Sequence, residues 1–363
     1  MDKNRIANKK LYVAGGIAFV IIYVLLFPTI IFPLMTTALL YEALFGSRCQ
    51  LTRKILTDDD FPDMQRQVVK IPSGKNMLSG GIFTSKSHKC DKALVVLGHG
   101  IGCSMGNYLN RVNYFVGKGY TVLAYDITGC GYSQGANIKG LVQSQLDMVA
   151  AVKFAKGCEQ LQGLPILLYG HSWSGYGSAT ALNHDEVTDN IVAAATLSGF
   201  DTPWDIMYYQ GYGFVGNFIL LTKPWMALYQ YLKFGKASTY TAIGGINHFD
   251  GPVLCVHSSD DPTVDISSSV YRNKDKCTNS KAKFVLYTDR GHTLSRPKES
   301  EKRISEDCRD KQCTWQEKGN IFVYKVDMHY EWSSKEDINA IDSEFMDVVD
   351  EFYTQALTDN QSA

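Results

Sequence analysis

The segment Gly170–Gly175 (GHSWSG) places a serine in the kind of turn that presents a nucleophile. It follows the apolar run Pro165–Tyr169, which predicts a buried strand. A sharp turn from strand to helix needs small residues two positions before and after the nucleophile, and Gly170 and Ser174 flank Ser172 in this way. The pattern favours Ser172 as a nucleophile at a helix start. A helix N-cap serine is the alternative interpretation.

An acid and a base follow two later apolar runs. Asp260 and Asp261 come shortly after the run Pro252–Val256, and His292 comes shortly after Phe284–Tyr287. Nucleophilic catalysis by serine needs an imidazole as general base and a carboxylate that orients it. We expect His292 to be the base. Either of the two adjacent aspartates satisfies the pattern as the acid.

A glycine-rich turn supplies candidate donors for an oxyanion. The run Ala93–Leu97 is followed by GHGIG at 98–102. Such a turn points a backbone N–H at the active site, and we expect the donors to be the N–H groups of Ile101 and Trp173. Two donors of this kind stabilise a tetrahedral intermediate. An ordinary strand-to-helix turn would have the same composition.

Alternating apolar runs and helical patterns predict the elements that position these residues. Arg66–Ile71 and Met77–Phe83 are separated by a turn signal and predict a hairpin. Six continuous apolar runs follow and predict strands buried on both faces: Ala93–Leu97, Tyr120–Tyr125, Pro165–Tyr169, Ile191–Leu197, Pro252–Val256 and Phe284–Tyr287. Helical spacing between most of them predicts an α/β fold with a mainly parallel eight-stranded sheet.

The motifs together resemble the α/β-hydrolase superfamily, and within it the monoacylglycerol lipase, lysophospholipase and serine aminopeptidase (S33) group. The resemblance covers roughly residues 65–295 and the last helix. It implies a Ser172–His292–Asp261 triad and an acyl-enzyme, because the family acid lies three residues after a position that Ser258 occupies here. Ser258 and Ser174 stand where the family usually has glycine. Both residues are small, so we expect the turns to keep their geometry.

Residues 201–250 form a long segment between two predicted strands, and they predict a lid inserted in the fold. The lid is rich in aromatic residues, and we expect four of them to bind substrate: Trp204, Tyr208, Phe214 and Trp225. Packing of the lid onto the body is the alternative role. Between Thr202 and His248 the only acid is Asp205, which suits an acyl chain better than the ammonium group of a peptide. We therefore expect a lipid-like ester as substrate, with an S33-type aminopeptidase or a silent binding protein as alternatives.

The run from residue 11 to residue 41 has no charged residue and is long enough to cross a bilayer. We expect a single-pass transmembrane anchor, a basic segment at 1–10 and a linker at 42–64 before the hydrolase domain at 65–363. A cleaved signal peptide and a buried core helix are the alternatives. Lysine and arginine before the run favour an extracytoplasmic hydrolase domain.

Composition excludes other classes of protein. The 363 residues carry a net charge of −1, which argues against nucleic acid as a partner. The nine cysteines have no zinc-ligand spacing, and we expect neither a metal nor an organic cofactor. A charged insertion at 296–330 holds Cys308 and Cys313, which either pair across a short loop or stay free. The sequence does not indicate which protein partners the chain has.

Overall fold

The computed structural model describes residues 12–17, 20, 23, 24, 26–49, 56–304, 306 and 334–362, without the side chain of Phe214. The basic segment at 1–10, most of the 296–330 insertion, and Cys308 and Cys313 lie outside the described residues. The described part forms an α/β-hydrolase fold around one sheet. The predicted fold class is therefore confirmed.

Eight strands form the sheet in the order β1-β2-β4-β3-β5-β6-β7-β8. Their bounds are β1 Met64–Ser73, β2 Asn76–Ser85, β3 Leu94–Gly98, β4 Thr121–Tyr125, β5 Ile166–His171, β6 Ile191–Leu197, β7 Val253–Ser258 and β8 Ala282–Tyr287. The hairpin β1–β2 is antiparallel and pairs antiparallel with β4, whereas β3 to β8 run parallel. Because parallel strands end at one edge, the loops after β3, β5, β7 and β8 converge there.

The α-helices whose two ends lie among the described residues mostly connect or flank the strands. Their bounds are α1 Phe32–Phe45, α2 Leu109–Gly117, α3 Gln143–Gly157, α4 Trp173–Ala181, α5 Asp185–Thr188, α6 Pro203–Val215, α7 Lys223–Phe234, α8 Ala242–His248, α9 Lys335–Asn339 and α10 Ser343–Gln361. Two hydrophobic clusters pack on the two faces of the sheet, one around α3 and α4 and one around α2 and α10. The central strands are buried on both faces, which explains their continuous apolar runs.

The lid lies between β6 and β7 and consists of α6, α7 and α8 joined by 3₁₀ turns. Thr202 begins α6, because its hydroxyl accepts a hydrogen bond from the N–H of Asp205. Thr241 caps α8 in the same way at Gly244. The insertion expected from the sequence at 201–250 is therefore mostly helical.

A π-helical turn at Phe27–Ile31 leads into α1, which continues past the expected end of the anchor at residue 41. The segment Phe27–Phe45 has 19 residues and a mean hydropathy of 1.4, which is long and apolar enough to cross a membrane. A signal sequence has the same length and composition. The core helix of a soluble protein is mostly buried, whereas 11% of this segment's apolar window is buried.

Candidate active site

Ser172 lies at the sharp turn between β5 and α4 and has a strained backbone. Its φ of 58° and ψ of −115° fall in a region of backbone angles that residues with a Cβ rarely adopt. The turn holds because Gly170 has no side chain: a Cβ there would lie 1.9 Å from the carbonyl oxygen of Ser174. The N–H of Ser172 also donates to the carbonyl of Leu197 on β6. This geometry is the sharp strand-to-helix turn that the sequence predicts around Ser172.

Ser174, which stands where the resemblance expects glycine, fits because a glycine elsewhere makes room for it. A Cβ on Gly98 would lie 2.4 Å from Ser174 Oγ, so the end of β3 must be glycine. The Ser174 hydroxyl donates to the carbonyl of His99 at 2.7 Å. The side chain of Ser174 therefore links the elbow to the glycine-rich turn after β3 by a hydrogen bond.

We expect Gly98→Ala to lower the free energy of unfolding by about 1–3 kcal/mol, because its methyl group overpacks against Ser174. Adding Ser174→Gly removes the clash, so the two substitutions should show a coupling of at least roughly 1 kcal/mol. Urea unfolding of the two single variants and the double variant measures this coupling. Additive effects would show that Ser174 is not the group that requires glycine at position 98.

Ser172, His292 and Asp261 come from three loops and form one hydrogen-bonded row. Ser172 Oγ lies 2.9 Å from His292 Nε2, and His292 Nδ1 lies 2.8 Å from Asp261 Oδ2. Because an ionised carboxylate only accepts, Nδ1 carries the proton and Nε2 is free to accept from the serine hydroxyl. The Asp261 side chain is fully buried, and the imidazole is mostly buried.

The structure distinguishes the two adjacent aspartates. Asp261 Oδ1 accepts from the N–H groups of Thr263 and Val264, and Oδ2 faces His292. Burial by itself raises the pKa of Asp261, but the imidazole and these two N–H groups outweigh burial and hold the pKa below its usual range. Asp260 instead accepts from the Ser258 hydroxyl and from the N–H of Gly291 at 3.0 Å. Asp261 is thus the carboxylate next to the imidazole.

Tyr108, which no sequence motif singles out, links three parts of the site. Its hydroxyl accepts from the N–H of Gly100 at 2.9 Å and donates to His171 Nδ1 at 2.6 Å. His171 Nε2 then donates to the carbonyl of His292 at 2.9 Å. Burial, followed by the nearby His292, lowers the pKa of His171 well below its usual value, so the ring is neutral and each hydrogen bond has one donor.

We expect Tyr108→Phe to lower kcat roughly tenfold at an unchanged KM, because the turn after β3 and the His292 loop lose their common link. It should also lower the free energy of unfolding by about 1–3 kcal/mol, because the Gly100 N–H and His171 Nδ1 remain buried without a partner. Tyr114→Phe is the matched control: its hydroxyl donates to Asp347, away from the site. If both variants keep the same kcat, Tyr108 is structural only.

Of the two predicted oxyanion donors, Trp173 follows Ser172 directly, and Ile101 follows Gly100, where a Cβ would lie 3.4 Å from Ser172 Cβ. Trp173 is the first residue of α4, and the first N–H groups of a helix have no acceptor within it. In the turn after β3 the N–H of Gly100 already donates to Tyr108, which leaves Ile101 as the next amide along the turn. His99 braces this turn, since its Nδ1 donates to the carbonyl of Gly100 and its Nε2 accepts from the N–H of Ile127.

The structure places three of the four predicted substrate-binding aromatic residues in the lid, half-buried: Trp204 and Tyr208 on α6, and Trp225 on α7. The side chain of Phe214 lies outside the described residues. Trp204 packs on Tyr208 and contributes to a cavity of about 700 Å³. The cavity walls are Asp201, Thr202, Trp204, Asp205, Lys223, Arg272, Asn273 and Lys276. Among the described residues no group of three or more His, Cys, Asp or Glu has the geometry of a metal site.

Comparisons with known proteins support the fold. The family model described as serine aminopeptidase, S33 matches residues 89–244. An esterase of Pyrococcus furiosus is 19% identical, with a TM-score of 0.50 over 70% of this chain and 94% of the esterase. An acetyl xylan esterase of Paenibacillus sp. R4 is 16% identical, with a TM-score of 0.50 over 75% of this chain and 91% of that chain. At these identities the two structures show the fold. No curated protein matches the chain in sequence.

The chain has the α/β-hydrolase fold, and its match to the S33 family model over residues 89–244 supports a serine hydrolase. Within that superfamily it is similar to the S33 serine aminopeptidase family over the segment that holds β3 to β6 and most of the lid.

Proposed function

We propose that the chain is a membrane-anchored serine hydrolase that cleaves carboxylic esters of lipid-like molecules. The observation that carries the proposal is the row of contacts from Ser172 Oγ through the His292 ring to Asp261. A hydroxyl, an imidazole and a carboxylate in one hydrogen-bonded row support this proposal, because acyl transfer needs a nucleophile, a general base and a carboxylate that orients the base.

The proposed reaction proceeds through an acyl-enzyme. His292 Nε2 takes the proton of Ser172 as the hydroxyl oxygen attacks the ester carbonyl, and the N–H groups of Ile101 and Trp173 stabilise the oxyanion. The protonated imidazole then gives its proton to the departing alcohol. Water attacks the acyl-enzyme with His292 again as base, which releases the acid and restores Ser172. Asp261 holds the ring orientation and stabilises the imidazolium.

Charge in the lid favours an acyl chain over a peptide amine. From Ile206 to Phe249 the lid has no aspartate or glutamate but has Lys223, Lys233 and Lys236. An aminopeptidase needs carboxylates that bind the substrate ammonium group. The neighbouring carboxylates Asp201 and Asp205 already accept hydrogen bonds from the protein. Asp201 accepts from the side chain of Asn273 and the N–H of Ile243, and Asp205 accepts from the Thr202 hydroxyl.

An aminopeptidase of the S33 type is the second candidate function, because the family model that matches residues 89–244 carries that description. The same triad would attack an amide carbonyl. The two candidates differ in what the lid must bind, an acyl chain or an ammonium group, and this difference is open to direct measurement.

The anchor is part of the proposal. The apolar segment Phe27–Phe45 is long enough to span a bilayer, and most of its apolar window is exposed. Lysine and arginine precede the uncharged run, namely Lys3, Arg5, Lys9 and Lys10. Basic residues beside a span stay on the cytoplasmic side, so the hydrolase domain would lie on the opposite side.

A substrate panel tests the proposal. The full chain is assayed with p-nitrophenyl esters of increasing acyl length, monoacylglycerols, lysophospholipids and aminoacyl amides, including prolyl amides. We expect the largest kcat/KM for a medium- or long-chain ester. Faster turnover of a prolyl amide than of every ester would replace the lipid proposal by the aminopeptidase. Labelling of cysteines from outside intact cells tests the orientation, and labelling only after the membrane is opened would contradict it.

A further inference from the structure

The lid exposes an apolar surface that the proposed chemistry does not use. We define it as the exposed large side chains of α6, α7 and the 3₁₀ turn between them: Tyr209, Tyr212, Val215, Phe218, Leu220, Leu221, Leu228, Tyr231 and Leu232. Phe218 is 78% exposed and Leu221 is 70% exposed. Contiguous exposed apolar surface on a folded protein marks a binding surface.

The carboxyl end of α1 packs directly on lid helix α7. Tyr41 is completely buried, and its ring meets the ring of Tyr229 edge-on at 5.3 Å. Glu42 accepts a hydrogen bond from the Tyr229 hydroxyl at 2.8 Å and pairs with Lys233. The Lys233 ammonium group also lies 5.0 Å from the centre of the Tyr41 ring. The lid is therefore held by the same helix that the proposed function inserts into the membrane.

The end of α1 is also attached to the catalytic domain. Gly140 lies against Tyr41, where a Cβ would lie 1.7 Å from the tyrosine oxygen, so residue 140 must be glycine. Beyond the helix the guanidinium of Arg48 donates to the carbonyls of Gly131 and Ser133, both at 3.0 Å. These contacts hold the end of the helix and Arg48 against the catalytic domain and the lid.

The face of α7 that does not touch α1 is apolar. Met226 and Gln230 are buried and Tyr229 and Lys233 contact α1, whereas Leu228, Tyr231 and Leu232 are exposed. The outward residues of α1 are apolar too, including Phe32, Met35, Leu39 and Leu40. The two packed helices thus both present apolar side chains on their unpaired faces.

We propose that the apolar surface of the lid lies in the bilayer that holds the N-terminal helix. This inference rests on the proposed anchor, and it adds a partner of defined chemistry, a lipid surface. A helix at the membrane interface buries its apolar side chains about 5–10 Å deep, and the end of a membrane span lies at that interface. The part of the lid from Ile206 to Phe249 has three lysines and no aspartate or glutamate, which also suits anionic headgroups.

Photolabelling of the full chain tests the location of the lid. The protein is reconstituted in phosphatidylcholine and phosphatidylglycerol vesicles that contain a phospholipid with a diazirine in its acyl chain. After irradiation, lipid adducts are mapped by mass spectrometry. We expect adducts in Phe27–Phe45 and in residues 209–232. Adducts confined to Phe27–Phe45 would overturn the proposal, and so would chain-to-chain crosslinks at 209–232 in place of lipid adducts, because they would assign the surface to a second copy.

A variant pair separates the surface from the chemistry. In Phe218→Glu/Leu221→Glu we expect at least roughly tenfold lower turnover of a long-chain ester embedded in vesicles, with turnover of soluble p-nitrophenyl acetate unchanged. Val68→Glu, at a 63% exposed position on β1, is the control and should change neither rate. Equal losses on both substrates, or no loss, would overturn the proposal. Failure of the wild-type chain to hydrolyse the soluble ester would instead contradict the proposed function.

Discussion

Ser172→Ala is expected to lower kcat for ester hydrolysis by about 10⁴–10⁶-fold, because the acyl-enzyme cannot form without the hydroxyl. The hydroxyl lies 2.9 Å from His292 Nε2, and the backbone turn that presents it does not depend on the side-chain oxygen. The free energy of unfolding should therefore change little. Initial rates with a p-nitrophenyl ester and labelling by a fluorophosphonate probe measure the effect.

Ser178→Ala is the matched control for this prediction. Ser178 is a buried serine of α4, the helix that begins directly after Ser172, and its hydroxyl donates to the carbonyls of Gly175 and Ala195. We expect this variant to be labelled and to hydrolyse the ester at close to the wild-type rate. Equal labelling of Ser172→Ala and the wild type would show that another residue is the nucleophile.

Asp261→Asn is expected to lower kcat by about 10⁴-fold, because an amide no longer selects the imidazole tautomer that accepts the serine proton. The carboxylate contacts His292 Nδ1 through both oxygens, at 2.8 and 3.0 Å. Substrate binding does not involve this group, so KM should change much less than kcat. Steady-state kinetics at neutral pH separate the two constants.

The control is Asp260→Asn, one residue earlier. An asparagine oxygen there can still accept from the Ser258 hydroxyl and the N–H of Gly291, so the loop should keep its shape. We expect kcat within about a factor of ten of the wild type, since the His292 ring is not its partner. A larger loss in Asp260→Asn than in Asp261→Asn would reverse the assignment of the acid.

Most of the sheet was predictable from the sequence because its strands are buried on both faces. Runs such as Ala93–Leu97 and Ile191–Leu197 are apolar except for Thr196, and each coincides with a strand of the parallel part to within a residue or so. The observed strand is longer than the predicted one where backbone pairing continues beyond the apolar run, as in β1, which begins at Met64. Polar residues in a strand carry no such signal.

The links between the loops were not predictable. The contact between Tyr108 and His171 spans 63 positions, and the contact between Gly98 and Ser174 spans 76. Neither pair has a spacing that indicates proximity, since both depend on how β3 and β5 lie side by side. A tyrosine on a 3₁₀ turn after a glycine-rich loop is the only local signal for Tyr108.

Short-range patterns of size and hydrophobicity were enough to predict the fold class, the elbow around Ser172 and the apolar segment at the amino terminus. Tertiary structure decided which aspartate faces His292, how Ser174 is accommodated and that α1 packs on the lid through Tyr41 and Glu42. These features depend on contacts between residues distant in sequence. Only the folded sheet, which brings the ends of its parallel strands to one edge, sets those distances.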